Sequence, residues 1–304
     1  MSTTMENLLT EHANLLQKII NQAKLDATAN VVTTTTPQVP VVKQDLFTNI
    51  NSYFSVAATS GKDKNILTPY ANPYNWPRNP NCWAKSLDLT GYAACTVPLG
   101  GVGGGTLITK KHVLLANHVP YPNTPFMIFF INDKNVSLVY NVVKTKRVAN
   151  SDILIGELDK EVDASLKVYK VLPSNFAKYF AKQPMSGEPR FPITYSDQER
   201  KMLMGDYIST FVSGAESVVM IAPPVDSNAT KYFEEVIGGD SGNPFFTIIN
   251  NEPILMGGWY QTRGPNGGWA TPIHVYINEI NDIINSFSVG YKLTEVDLSM
   301  YKTY

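Results

Sequence analysis

Short apolar runs broken by turn residues fill the middle of this chain. The longest such run is residues 126–131, reading FMIFFI. Between about residues 92 and 272, β-prone segments recur at 106–108, 112–116, 126–131, 137–143 and 153–157. Others follow at 168–172, 208–213, 217–222, 245–249 and 254–260. Asn132-Asp133-Lys134-Asn135 lies between two of them and has the composition of a hairpin tip. Helical periodicity is rare here. Ser174 can cap a short helix running through Phe180. After Pro272, Ile277, Ile280, Ile283 and Ile284 fall on one helical face. Many short strands and one closing helix predict a mainly β fold, a barrel or a sandwich.

The ends follow other rules. In residues 5–24, Leu9, Leu16 and Ala23 recur every seven positions, with Met5, His12 and Ile19 offset between them. That pattern predicts an amphipathic helix whose apolar face either joins copies of the chain or packs on its body. The threonine run 33–36, followed by Pro37 and Pro40, reads as an extended tether. Residues 1–41 are therefore expected to be an appendage. Residues 69–83 hold four prolines and four aromatics, too many prolines for a helix or central strand. They predict an extended strap over 42–91, lying across the outside of a central domain at 92–287. Residues 288–304 form a C-terminal extension.

Composition narrows the function classes. Among 304 residues, Lys+Arg number 25 and Asp+Glu 26, a formal net charge of -1. Neither a nucleic acid nor an anionic membrane is expected as partner on that balance. The N-terminus has no apolar signal-peptide core, and no run is long enough to span a bilayer. A disulfide between Cys82 and Cys95 is one alternative; two reduced, buried thiols are the expected state, and no Cys/His spacing suggests a metal site.

The candidate chemistry sits in Gly238-Gly239-Asp240-Ser241-Gly242-Asn243-Pro244. Glycines allow a sharp turn that exposes a hydroxyl and lets backbone N–H groups converge. A serine hydroxyl needs a base in hydrogen-bond reach, and the base needs an orienting acid. Of the four histidines, His118 ends the strand of Gly104-Gly105-Thr106-Leu107-Ile108 … Val113-Leu114-Leu115-Ala116-Asn117-His118, while His112 begins it. Asp152 opens the apolar run Ser151-Asp152-Ile153-Leu154-Ile155-Gly156-Glu157-Leu158.

These three motifs, in the order His118, Asp152, Ser241, resemble those of trypsin-like (chymotrypsin-fold) serine proteases, over about residues 92–287. The resemblance implies two antiparallel six-stranded β-barrels with a C-terminal helix and an N-terminal helical extension. It implies an endopeptidase acting on a protein or peptide through a Ser-His-Asp triad, without a cofactor. The N–H groups of Gly239 and Ser241 would form the oxyanion hole. Asn243 stands where the family usually has glycine, a position asparagine can fill if the backbone is left-handed. By the same resemblance Glu235, six residues before the serine, would lie at the base of the substrate pocket and favour Lys or Arg. Gly258, Trp259 and Tyr260 would form the pocket wall, with Tyr260 narrowing its mouth. The family's activating Ile-Val-Gly-Gly-type sequence is absent before residue 92, so Asp240 needs another partner. Gly100–Gly105 reads as a flexible approach to the first strand. The layout is also similar to trypsin-like domains of bacteriophage and large-virus particles. That likeness implies a cytoplasmic or virion-associated protein, and it allows an inert attachment module as the alternative. An esterase is disfavoured, because Gly-x-Ser-x-Gly is not met.

Overall fold

The computed structural model describes residues 3–29, 43–68, 76–97, 103–180, 193–196, 200–213 and 216–304. The chain divides into two compact units, Met1–Val42 and Lys43–Tyr304. Among its described residues the first holds one helix, α1 (Thr3–Ala29), longer than its heptads suggested. Its apolar residues Leu15, Leu16, Ile19 and Ile20 are exposed. No described helix is long and apolar enough to cross a membrane.

The second unit is mainly β. Its first sheet has six antiparallel strands: β1 (Ala93–Val97), β2 (Thr106–Leu107), β3 (His112–Ala116), β4 (Phe126–Ile131), β5 (Ser137–Arg147) and β6 (Ile153–Leu158). Their order is β1-β4-β5-β6-β3-β2. The sheet curls until its edges meet. Tyr92 bridges Thr106, Ala93 N–H donates to Gly105 O at 2.7 Å, and Leu107 N–H donates to Gly91 O at 2.8 Å. A closed ring leaves no free edge to pair with another chain. Leu107, Val113, Leu115, Ile128 and Phe130 fill its inside.

The second sheet comprises β7 (Ile193–Ser196), β8 (Lys201–Met204), β9 (Asp206–Ser213), β10 (Glu216–Ala222), β11 (Pro244–Ile249), β12 (Glu252–Thr262) and β13 (Gly268–Pro272). The order is β8-β7-β11-β12-β13-β10-β9. Only Gly205 separates β8 from β9, so one stretch of chain supplies both edges. The seven segments thus make a six-stranded ring, and the expected pair of antiparallel barrels is present. A helical turn, α3 (Ser227–Thr230), precedes β11, and α4 (Ile277–Phe287) closes the domain. It buries Ile277, Ile280, Ile283 and Ile284, as their spacing predicted.

Several expectations need correction. The described residues within 42–91 are not an extended strap. Within them Asp45 caps a helix, α2 (Leu46–Ser60), by accepting from Thr48 N–H at 2.7 Å. Leu46, Ile50 and Phe54, at a spacing of four, bury its inner face. Trp76, Cys82 and Trp83 lie inside the larger core rather than across its surface, and Trp83 Nε1–H donates to Met202 O at 2.8 Å. Aromatic area outweighed the proline content. Residues 69–75 are outside the described set. Residues 168–172 form no strand, although Val171 bridges Leu255 and Glu295. Asn175, not Ser174, precedes a 3-10 turn at Phe176–Tyr179. The C-terminal extension is structural: Tyr301 is buried, its backbone bridges Gln44, and its hydroxyl donates to Asn250 Oδ1 at 2.9 Å. Cys82 is a free buried thiol pushed up to about 12 by burial, whereas the Cys95 side chain lies outside the described set.

Two histidines of the core give stability a pH dependence. Burial pushes His112 and His274 down from 6.5 to about 4. His274 packs edge-on against Phe176, and its Nδ1 has no hydrogen-bond partner among the described residues. Between pH 6.5 and 4 the unfolded chain binds protons that the folded chain refuses. Stability therefore falls with falling pH, by about 1.4 kcal/mol per unit for each histidine. Burial raises Asp206 to about 6, which acts in the opposite sense below that pH and offsets part of the loss. His274→Phe is expected to flatten this slope. Urea unfolding at pH 7 and pH 5 checks it: the gap between variant and wild type must shift in the variant's favour at pH 5.

Candidate active site

β3 and β6 run antiparallel, with Ala116 opposite Ile153. That pairing sets the end of one strand beside the start of the other, so His118 meets Asp152. Three hydrogen bonds join the two turns. Asn117 N–H donates to Asp152 O at 2.9 Å, His118 N–H to Asp152 Oδ1 at 2.8 Å, and the ring Nδ1 lies 2.7 Å from Asp152 Oδ2. Asp152 is buried and the His118 ring is partly exposed. The turn before Asp152 is fixed by Ser151, whose hydroxyl donates to Val148 O at 3.0 Å and accepts from Ile153 N–H at 3.1 Å. With a carboxylate at Nδ1, the proton belongs there, and Nε2 presents its lone pair. Nε2 lies 2.7 Å from Ser241 Oγ. A hydroxyl, an imidazole and a carboxylate are thus linked in one line at the domain surface. His112 takes no part. It is buried beside Thr109 Oγ1, at 2.8 Å, and stacks on Phe287.

The serine loop is clamped from both sides. On the first-barrel side, Gly103 N–H donates to Gly239 O at 2.9 Å and Gly104 N–H to Ser241 O at 2.8 Å. On the second-barrel side, Gly242 N–H donates to Trp259 O and Trp259 N–H to Asn243 O, both at 2.9 Å. Within the loop, Asp240 N–H donates to Ile237 O and Asn243 N–H to Asp240 O. The amides of Gly239 and Ser241 donate to nothing among the described residues. Gly239 has φ +105° and Gly242 +77°, the left-handed half of the map that favours glycine.

Asn243 does not use a left-handed backbone, contrary to the expectation. Its side chain is fully buried against Gly104, and a Cβ on Gly104 would fall 2.0 Å from Asn243 Oδ1 and 2.6 Å from its Cα. Room for the asparagine comes from a glycine on the other barrel. Gly103 and Gly104 are therefore a docking edge rather than a flexible approach; Gly100–Val102 lie outside the described residues.

Beside Ser241 opens a hollow of about 210 Å³ lined by Val236, Ile237, Gly238, Trp259, Tyr260 and Gln261, among others, none of them charged. Tyr260 packs edge-on to the His118 ring, with centroids 6.0 Å apart. Gly258 sits on the backbone of Gly242. Glu235 does not line the hollow. It is exposed, with its carboxylate beside Gly264, because Val236 turns inward at the next position. Among the described residues no cluster of side chains could hold a metal ion.

Sequence reading passed over one residue of the site. Ser196 on β7 is fully buried, and its Oγ lies 3.0 and 2.9 Å from the two carboxylate oxygens of Asp240. Nothing local in Ile-Thr-Tyr-Ser signals this, since the partner is 44 residues away.

No protein-family model and no curated protein sequence matches the chain. Among solved structures it is similar to kallikrein-related peptidase 10, at 16% identity and a TM-score of 0.47, over 65% of this chain and 96% of that one. The two chains share too little for the likeness to bear on the site.

The clamp has a direct consequence. Gly104→Ala places a methyl group against backbone, so the serine loop must move away, at about 1–3 kcal/mol. The expected outcome is a lower melting temperature together with loss of Ser241 reactivity toward electrophilic probes. A variant that melts and reacts like wild type would contradict the clamp.

Proposed function

We propose that this protein is a serine endopeptidase, with Ser241 as nucleophile, His118 as general base and Asp152 as the acid that orients it. The observation carrying this reading is the line of short contacts, 2.7 Å from Ser241 Oγ to His118 Nε2 and 2.7 Å from Nδ1 to Asp152. Distances of that size permit proton transfer without rearrangement. In the proposed reaction Nε2 takes the hydroxyl proton as Oγ attacks a peptide carbonyl carbon. Asp152 stabilises the resulting imidazolium. The N–H groups of Gly239 and Ser241, which donate to nothing among the described residues, would receive the negative oxygen of the tetrahedral intermediate. Each such donor is worth roughly 3–4 kcal/mol. His118 then gives its proton to the leaving amine, and water hydrolyses the acyl-serine with the same base.

The neutral hollow beside Ser241 suits an uncharged, apolar side chain preceding the cleaved bond. Val236, Ile237 and Trp259 offer it apolar wall, and burying a charge there would cost free energy without a partner. This replaces the preference for Lys or Arg, which needed Glu235 inside the hollow.

A fluorophosphonate probe tests the reading. Wild type is expected to acquire one label and Ser241→Ala none; an unlabelled wild type would leave the inert module in its place. Asp152→Asn is expected to lower kcat by roughly 10³–10⁴ while the fold stays intact by circular dichroism. In a peptide library, apolar residues are expected before the cleaved bond, and enrichment of Lys or Arg there would refute the assignment of the hollow.

A further inference from the structure

The loop that carries Ser241 turns on the side chain just before it. Asp240 is fully buried, so its carboxylate must be met by donors inside the fold. Two donors are supplied by the folded chain itself. Ser196 Oγ straddles both carboxylate oxygens at 3.0 and 2.9 Å, and Ile237 N–H donates to Oδ2 at 3.0 Å. Ser196 is the last residue of β7, and β7 is held between β8 and β11. The hydroxyl is therefore presented from a paired strand rather than from a loop. Asp240 N–H also returns to Ile237 O, at 3.2 Å, which closes a small ring at 237–240. That ring leaves the Gly239 and Ser241 amides out of the loop's own hydrogen bonds. In the same arrangement Ser241 Oγ lies 2.7 Å from His118 Nε2.

We infer that Ser196 is the positioning residue of the nucleophile loop: by holding Asp240 from β7 it sets the site in working order without any cleavage of the chain. Ser196 and Ile237 are both internal residues, so these bonds to Asp240 form without a newly freed amine. Loss of the Ser196 hydroxyl would leave a buried carboxylate short of a donor. The loop would then turn Asp240 outward, carrying the 239 and 241 amides with it. The effect falls on transition-state stabilisation and not on substrate docking, because Ser196 does not line the hollow.

The inference rests on the peptidase reading, and the experiment separates the two. Full-length protein is treated with a fluorophosphonate and its intact mass is read before and after. Label on the uncut 304-residue chain is the expected result. Label found only on shortened chains would overturn the inference and spare the peptidase reading, whereas no label on any form would overturn both. Ser196→Ala is then compared with Ser196→Thr at a temperature where both are folded. Ser196→Ala is expected to lower kcat and the labelling rate at least about tenfold, with KM little changed, and Ser196→Thr to recover most of the loss. A folded Ser196→Ala that labels at the wild-type rate, or equal losses in both variants, would overturn the positioning role. Should Ser196→Ala fail to fold, Asp240→Asn serves the same comparison. It keeps the shape of the side chain but weakens the bond to the hydroxyl, and unchanged kcat would again overturn the inference.

Discussion

Everything at the site depends on how closely two backbones approach one another. Gly103 and Gly104 come from the first barrel and the 239–243 loop from the second, and they meet through two N–H···O bonds of 2.8–2.9 Å. No side chain fits at Gly104, where even a Cβ would strike Asn243. The two barrels thus contribute different parts. The first holds imidazole and carboxylate on adjoining strand ends, the second holds the hydroxyl, and the glycine edge fixes the distance between them. A shift at that edge would displace the backbone of Ser241 itself, because Gly104 N–H bonds directly to Ser241 O.

Two buried carboxylates lie close to this seam, and the same rule governs both. Asp152 accepts from one backbone N–H and from the His118 ring, while Asp240 accepts from one backbone N–H and from a hydroxyl. Each is a short side chain on a turn, so fixing its oxygens fixes the backbone of the next residue. For Asp152 the neighbouring turn carries His118, the proposed base; for Asp240 the next residue is Ser241, the proposed nucleophile. Buried carboxylates cost desolvation free energy, and that cost is offset only in the geometry that brings their donors together. Placement of the reacting groups is in this sense a by-product of satisfying two acids.

What the chain disclosed in advance follows from range. His118, Asp152 and Ser241 each sit in a local context that betrays them: a strand end, a turn before an apolar run, a glycine-flanked serine. The strands β3 and β4 were legible to the residue, because their apolar runs are short and sharply bounded. Features created by contact between distant segments were not legible. Ser196 lies on a short strand whose pattern is too brief to register, and its role exists only through a residue far along the chain. Gly104 reads as one glycine among several until Asn243 is placed against it. Helix α2 buries three large apolar side chains, Leu46, Ile50 and Phe54, and two alanines, Ala57 and Ala58, and the proline-rich stretch after it drew the whole segment toward an extended reading. Glu235 was misplaced for a related reason. Counting back from a serine assumes a fixed loop shape, and a one-residue change in which side chain turns inward sends Val236 to the hollow and Glu235 to solvent.

The long approach to the barrels, in its described parts 43–68 and 76–91, is better understood as part of the larger core that both barrels share than as an attachment to it. Phe54 packs on Trp83 and Trp83 on Tyr232, whose hydroxyl donates to Gly61 O at 2.7 Å, and Tyr232 lies shortly before the serine loop. From the other end, Tyr301 reaches Asn250 at the end of the hairpin leaving that loop, and Asn250 N–H donates to Asn49 of α2 at 3.0 Å. The first and last parts of this unit therefore meet around the strand that follows Ser241. A serine loop with two positive-φ glycines has little rigidity of its own. Its order must be imposed from outside, by the glycine edge on one side and by this collar of aromatic and amide contacts behind it. Burial of each large aromatic there contributes roughly 1.5–3 kcal/mol, far more than any single hydrogen bond of the loop. The extension thus supplies stiffness that the short strands around Ser241 cannot generate themselves.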